Sequence, residues 1–473
     1  MRKRLYISGE WKLAENYEAL KSPYSSEVLC EVPVATGGEV DAAIEAAYDT
    51  KEAMKKMPAY QRSAILSKVA ELLANQVDEA AKIISMETAK PLSAAKGEVL
   101  RTIQTYQFAA DEAKKLTGET IPMDAAPGGE NRLAYTKKFP LGVIGAITPF
   151  NFPMNLVAHK VGPAIAAGNT VVLKPANQTP LSALFIAELF EKAGLPAGAL
   201  NVVTGKGSFI GDFLVTDERI SMITFTGSPA VGKQIKSKAG LKKVTLELGS
   251  NSGLIIDKDV DIEKIIDRCV FGAFSNQGQV CISLQRIYVH EEIYDLFVNS
   301  FVDATKKLKI GDPLDPETDV SALITPNDVD RIKGWINEAI ENGAKLLSGG
   351  QIEGNVVHPT VLADVRNSLP ISCQEAFAPI VTINKIQDVE EGIKLVNDSI
   401  YGLQAGIYTK NIDVALNAAE SLEVGGVMIN DIPTFRVDHM PYGGVKESGI
   451  GKEGIKYAVE EMSEAKLIVI KHS

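Results

Sequence analysis

Val143-Ile144-Gly145-Ala146-Ile147 is an unbroken apolar run that stops at Thr148-Pro149-Phe150-Asn151. A short apolar run closed by turn residues reads as a strand buried on both faces. A helix is expected from Met154, and the alternation then repeats. Thr170-Val171-Val172-Leu173-Lys174, Asn201-Val202-Val203-Thr204, Met222-Ile223-Thr224-Phe225 and Val244-Thr245-Leu246-Glu247-Leu248 are the next strands. A helix over 182–193 ends at Gly194-Leu195-Pro196, a stop signal, and another opens at Pro229 after Thr226-Gly227-Ser228. This period predicts an α/β fold with a parallel, doubly wound sheet. Ligands of such sheets sit beyond the carboxyl ends of the strands. Asn151, Lys174, Ser228 and Glu247 all fall at or near those ends.

Outward from this block, residues 1–34 read as short strands and turns. Val40, Ala43, Ile44 and Ala47 begin a run of helical spacing. Further helices are expected near 60–76, 77–88 and 94–115. Residues 119–140, punctuated by Pro122, Pro127-Gly128-Gly129 and Pro140, look like a hairpin with no core of its own. A second α/β set follows, with strands at 254–256, 286–289, 380–383, 406–408 and 426–430. The tail Ala465-Lys466-Leu467-Ile468-Val469-Ile470 is an apolar strand that needs a partner. The 119–140 hairpin of a neighbouring subunit is the partner expected for it.

The chain has 473 residues, too many for one core, which suggests about two to four domains. A net charge of −11 argues against nucleic acid or an anionic membrane as partner. The start, Met1-Arg2-Lys3-Arg4, is basic but no apolar segment follows, so no secretion signal is expected. No run approaches the ~18 apolar residues of a membrane span. The four cysteines, Cys30, Cys269, Cys281 and Cys373, are widely spaced, as in a protein of a reducing, cytoplasmic compartment. The five histidines form no ligand-spaced cluster, so no metal site is expected.

One cysteine stands apart. Cys281 closes Phe274-Ser275-Asn276-Gln277-Gly278-Gln279-Val280-Cys281, a polar and small stretch that reads as a turn able to bring backbone N–H groups to the sulfur. An inert core cysteine sits instead in an apolar run.

At this point six motifs, in order, resemble the NAD(P)-dependent aldehyde dehydrogenase superfamily. They are Pro149-Phe150-Asn151-Phe152-Pro153, Lys174-Pro175-Ala176, Phe225-Thr226-Gly227-Ser228, Leu246-Glu247-Leu248-Gly249, Phe274-x-Asn276-x-Gly278-Gln279-x-Cys281 and Pro441-Tyr442-Gly443-Gly444-Val445-Lys446-x-Ser448-Gly449. The resemblance implies an aldehyde dehydrogenase-like α/β fold. A Rossmann-type parallel-sheet cofactor domain would span 1–118 and 140–246. An α/β catalytic domain would span 247–430, and a small β oligomerisation flap 119–139 and 463–473. It also implies a homodimer or homotetramer.

The resemblance assigns Cys281 as nucleophile, Asn151 as oxyanion donor and Glu247 as general base. Ile147, Thr148, Pro149, Phe150, Lys174, Ala176, Asn177, Gly207, Gly211, Phe225, Thr226, Gly227, Ser228, Val231, Leu248, Gly249, Glu375 and Phe377 would hold NADP or NAD. Members that prefer NAD usually carry Glu where this chain has Asn177. A carboxylate there would repel a 2′-phosphate by roughly 4 kcal/mol at 4 Å and an effective dielectric near 20. Neutral Asn177 removes that term, so NADP is expected to be accepted. Ala378 and Ser250 replace two of the family's usual glycines.

For the substrate pocket the resemblance points to Phe152, Val280, Ile282, Ser283, Phe435, Arg436, His439 and Tyr442. The glyceraldehyde-3-phosphate-oxidising subgroup tends to carry Arg where this chain has Val280, which disfavours a phosphorylated substrate. Cys281-Ile282-Ser283 and Arg436-Val437-Asp438-His439-Met440-Pro441 look more like the lactaldehyde-dehydrogenase-like branch. Arg436 and His439 are candidates for holding a small anionic tail. The activity expected is oxidation of a small, hydroxylated aldehyde to its acid. The alternatives are a succinate-semialdehyde-type or other acidic semialdehyde dehydrogenase, or a coenzyme A-acylating enzyme. The last branch tends to lack the general-base Glu.

Overall fold

The computed structural model describes residues 2–472. Met1 and Ser473, the outer ends of the ranges 1–118 and 463–473, lie outside the described residues.

Two sheets carry the molecule. The first runs Glu10–Lys12, Leu5–Ile7, Leu200–Val202, Thr170–Lys174, Val143–Ile147, Ile220–Thr226, Lys243–Glu247, Gly449–Ile450. Its five central strands are parallel. The chain enters this parallel set at Val143–Ile147, winds outward to Leu200–Val202, then returns to the other side at Ile220–Thr226. The strand order therefore reverses between Val143–Ile147 and Ile220–Thr226, where a crevice opens at the carboxyl ends. Both faces are covered. The helix Asn155–Ala167 is buried at every position, Lys160 included. Helix Gly37–Lys56, started by a Thr36/Glu39 capping box, covers part of the sheet with Gly207–Thr216.

The second sheet orders Lys345–Ser348, Thr360–Ala363, Ile380–Ile386, Arg286–His290, Gly253–Ile256, Gln404–Tyr408, Gly426–Ile429. All but the first strand are parallel. The helix Ile262–Phe274 leads from this sheet into the Cys281 stretch, which precedes the strand Arg286–His290. The nucleophile candidate thus arrives from the amino edge of one sheet, and Asn151 and Glu247 from the carboxyl edge of the other.

A third, three-stranded sheet joins Ser463–Lys471, Arg132–Pro140 and Thr120–Ile121. Here one expectation is corrected. The tail strand pairs with its own chain, in register from Ser463 opposite Pro140 to Lys471 opposite Arg132. The helix Ile455–Glu461 packs on Asn155–Ala167 and Leu92–Glu112 and delivers the tail to that strand. The helix expected over 94–115 is Leu92–Glu112, because Pro91 sits at its N-cap. No helix among the described residues is long and apolar enough to cross a membrane.

Candidate active site

After Phe274 the chain must turn sharply to present Cys281. It does so through consecutive left-handed residues: Asn276 at φ 49°, Gln277 at 55° and Gly278 at 69°. Left-handed backbone costs about 1–2 kcal/mol for a non-glycine residue, so side chains hold it. Gln277 Nε2 donates to the carbonyls of Ala89 (2.9 Å) and Ala322 (3.1 Å). Asn276 Nδ2 donates to the carbonyls of Asn151 (3.2 Å) and Gln279 (3.1 Å). The Ile324 N–H donates to Gln279 Oε1 at 3.1 Å. A Cβ on Gly278 would lie 2.0 Å from the Ala378 carbonyl oxygen, so only glycine fits.

Asn151 reaches the same place from the first sheet. Its Nδ2 donates to Gln279 O at 3.0 Å and lies 3.9 Å from Cys281 Sγ. Its carbonyl accepts from Lys90 Nζ at 2.6 Å. Lys90 pairs with Glu98, both fully buried. Glu98 Oε1 also accepts the N–H groups of Met154 (2.9 Å) and Asn155 (3.3 Å) at the start of the following helix. The Cys281 N–H has no backbone acceptor among the described residues. Cys281 is half-buried, whereas Cys269 lies sealed in the apolar core. Burial pushes the Cys281 thiol up to about 12; Glu375 adds to this, and Arg436 and Asn151 oppose it.

Glu247 ends the strand Lys243–Glu247 with neither carboxylate oxygen hydrogen-bonded by the protein. Burial, reinforced by Glu453, holds its carboxyl well above the usual range, against the pull of Arg436 and Lys160. Glu453 goes the other way. Burial opposes its ionisation, yet Lys160, His159 and Arg436 draw it down to about 2. Lys160 Nζ lies 2.9 Å from Glu453 and donates to Thr226 Oγ1 at 2.7 Å. Arg436 reaches Glu453 at 3.1 Å and stacks its guanidinium 3.7 Å over the Tyr442 ring. The proton affinities of two neighbouring carboxyls are thus shifted in opposite directions.

The crevice beside them is lined by the residues expected to hold a dinucleotide. Lys174 Nζ, buried at the strand end, bonds Asn177 Oδ1 at 3.1 Å, and burial lowers its ammonium to about 8. The Thr148 N–H donates to Lys174 O at 3.1 Å, which ties Ile147–Phe150 to the lysine strand leading into Ala176. A Cβ on Gly207 would come 3.4 Å from Lys174 Nζ, and one on Gly211 4.0 Å from Ile147 Cδ1, so the Gly207–Thr216 helix packs close to the crevice. Ser228 sits at the N-cap position of the helix Pro229–Lys238 without a side-chain capping bond, and the N-terminal N–H groups there suit an anion. Val231 is exposed on that helix. Gly227 lies against the Phe225 ring, and Gly232 against Leu248. Across the crevice, a Cβ on Gly249 would lie 2.4 Å from Glu375 Oε2. Glu375 accepts the Ser250 N–H at 3.1 Å, and burial raises its carboxyl to about 7. Phe377 is left-handed at φ 49°, and its ring meets Phe150 edge-on at 5.7 Å.

A cavity of about 750 Å³ leads in to Cys281 on the side of Phe152. Phe152, Val280, Ile282, Arg436 and Tyr442 line it. Ser283, Phe435 and His439 do not. The Ser283 hydroxyl turns back to the Ala273 carbonyl at 3.4 Å, Phe435 is exposed, and His439 is exposed with its ring 5.0 Å from Phe108. A loop sequence does not say which side chains face inward.

The charged scaffold of Lys90, Glu98, Lys160 and Glu453, and of Arg101 bonded through Nε (3.0 Å) and an Nη (2.7 Å) to the Asp438 carboxylate, is not expected from the sequence. One signal was available: Lys160 is the single Lys, Arg, Asp or Glu in the mostly apolar helix Asn155–Ala167. No cluster of metal-ligating side chains occurs among the described residues.

The chain matches the profile described as "Aldehyde dehydrogenase family" over residues 11–468. It is 49% identical over 468 residues to a 3-sulfolactaldehyde dehydrogenase of Priestia aryabhattai, covering 98% of this chain and 97% of that protein. It is 42% identical over 470 residues to a lactaldehyde dehydrogenase of Methanococcus aeolicus, covering 98% and 99%. Among solved structures, an NADP-dependent glyceraldehyde-3-phosphate dehydrogenase from Bacillus halodurans C-125, complexed with NADP, superposes with a TM-score of 0.97. It is 39% identical, covering 100% of this chain and 99% of that one.

Two outcomes are expected. Gly278→Ala must displace backbone against Ala378, and kcat should fall by about 100-fold or more, with a lower midpoint in urea unfolding. Alkylation of Cys281 by iodoacetamide should accelerate about tenfold per pH unit from pH 7 to 9 with no plateau, because the thiolate is the reacting form. Mass-spectrometric counting of the labelled peptide reads this.

Proposed function

The chain belongs to the aldehyde dehydrogenase family, and from that premise we propose that Cys281, Asn151 and Glu247 carry an NAD(P)-dependent oxidation of a short 2-hydroxyaldehyde. The observation that supports the reading best is the Asn151 amide 3.9 Å from the Cys281 sulfur, at the inner end of the cavity. The similarity to 3-sulfolactaldehyde and lactaldehyde dehydrogenases supports the substrate class.

Cys281 gives up its thiol proton to water and Sγ adds to the aldehyde carbonyl. The Asn151 amide and the Cys281 N–H donate to the resulting oxyanion, each worth about 3–4 kcal/mol. Held by residues such as Lys174, Ser228 and Glu375, NAD(P) would supply the acceptor for the hydride whose loss turns the Cys281 adduct into a thioester. Glu247, unpaired in its buried position, takes a proton from the water that attacks the thioester. Its raised affinity for protons suits it to that transfer. The acid leaves and the thiol is restored. A general base at Glu247 favours hydrolysis over acyl transfer to coenzyme A.

The first sheet with residues 1–118 and 140–246 would form the cofactor domain, and 247–430 the catalytic domain. Segments 119–139 and 463–473 would mediate assembly into a homodimer or homotetramer. The nine-residue strand Ser463–Lys471 supports this, as it lies at a sheet edge with Leu467, Val469 and Ile470 exposed. Four free cysteines fit a cytoplasmic protein.

Glu247→Gln should still add aldehyde and release one equivalent of reduced nicotinamide per site. It should then turn over about 100-fold more slowly as the thioester persists. Rapid-mixing absorbance with mass detection of the acylated Cys281 peptide checks this; an unchanged steady state removes Glu247 from the role. Asn177→Glu should lower kcat/KM for NADP relative to NAD by about 10²–10³. A wild-type enzyme that rejects NADP would contradict the Asn177 argument.

A further inference from the structure

Gln285 stands four residues beyond Cys281 and belongs to none of the six motifs that carry the family resemblance. Its side chain is buried, and its bonds go to the backbone of one segment. Nε2 donates to the carbonyls of Ile371 (2.9 Å) and Gln374 (2.7 Å), and Oε1 accepts the Ala376 N–H at 3.0 Å. The backbone of Gln285 is itself held. Its N–H donates to Ser252 O at 3.2 Å, and its carbonyl accepts the Thr382 N–H at 2.9 Å. The amide is thus an arm of fixed origin, reaching from the Cys281 side to the residues around Glu375.

That segment needs an outside hold. Residues 374–379 lie between the short helix Pro370–Cys373 and the strand Ile380–Ile386, so no regular ladder of backbone bonds fixes Glu375 and Phe377. Left-handed Phe377 adds a conformational cost. Glu375 reaches the Ser250 N–H at 3.1 Å and lies against Gly249. A side chain keeps such a place only if its backbone is kept. Asn251 Nδ2 donates to Ser372 O at 2.9 Å and an Arg331 Nη to Ala376 O at 3.0 Å, one carbonyl each. Gln285 makes three bonds, two of them to Gln374 and Ala376, on either side of Glu375. Gly278 closes against Ala378 O, just beyond Phe377. The Cys281 stretch therefore grips the segment through one residue before the sulfur and one after it.

We propose that Gln285 is a positioning residue for cofactor binding: by bonding Gln374 and Ala376 it holds Glu375 at a fixed place between Cys281 and the Gly249-Ser250 turn of the first sheet. The proposal rests on the reading of Glu375 as a cofactor-holding residue on the side that faces Cys281. Without the Gln285 amide, two buried carbonyls and one N–H lose their partner, and the backbone that carries Glu375 is free to shift. A buried bond of this kind is worth about tenfold.

The test is Gln285→Met in the full-length protein, since Met keeps the length of the side chain and removes all three bonds. In the cofactor-free protein the Ser250 N–H should exchange with deuterium about tenfold faster, although the Gln285 side chain is not bonded to it, because Glu375 no longer stays in place. By calorimetry, NADP should bind about tenfold more weakly. Adenosine 2′,5′-bisphosphate, which lacks the nicotinamide ribose, should bind as it does to wild type, and that also shows the variant is folded. Glu375→Ala should weaken NADP binding by itself, and adding Gln285→Met to it should weaken binding no more than about twofold further. Unchanged Ser250 exchange, equal losses for both ligands, or additive effects of the two substitutions overturn the proposal. If Glu375→Ala binds NADP as wild type does, the reading of Glu375 falls first, and the proposal with it. Should Gln285→Met not fold, Gln285→Asn, too short to keep all three bonds, is read in the same way.

Discussion

Lys90 and Glu98 form an ion pair where neither charge meets water. Breaking such a pair leaves an uncompensated buried charge, which costs about 3–5 kcal/mol. The pair does more than cancel itself. The ammonium also bonds the Asn151 carbonyl and lies 3.8 Å over the Phe152 ring. The carboxylate holds the first N–H groups of the helix Asn155–Ala167. The strand end, the turn and the helix start are therefore pinned from one point, and with them the amide that faces Cys281. The second sheet joins the same network through Asn276, which bonds the Asn151 carbonyl.

Around this anchor the electrostatics separate into roles. Glu453 collects the cations Lys160 and Arg436 and stays ionised. Glu247, a short distance away, finds no donor, and burial raises its affinity for a proton. One carboxyl is structural charge and the other is a proton acceptor in waiting. The difference arises from neighbours alone, since the two side chains are chemically identical. Cys281 follows the same logic, with a thiol that burial holds protonated.

The elements with a strong period were legible without coordinates. Val77–Thr88 matches its expected helix at both ends, and the five parallel strands of the first sheet differ from expectation by only a few residues at their ends. The tail strand was legible as a strand, but not its partner. Ser463–Lys471 pairs with Arg132–Pro140 of the same chain, more than 300 residues away, because an intervening helix carries it there. Pairing of distant strands depends on the packing of everything between them. The loop 430–442 is similar: Arg436 turns inward onto Tyr442, and His439 outward onto Phe108.

What the sequence determined by itself is the α/β alternation, the turn before Cys281 and the residues at the strand ends, because these follow from local periodicity and from backbone limits on glycine. What only the tertiary structure decided is which charges meet. Lys90, Arg101 and Asp438 look like ordinary surface charges when read along the chain. They become buried partners through contacts across the fold, and the free energy of a buried charge is fixed by what lies within a few ångströms of it.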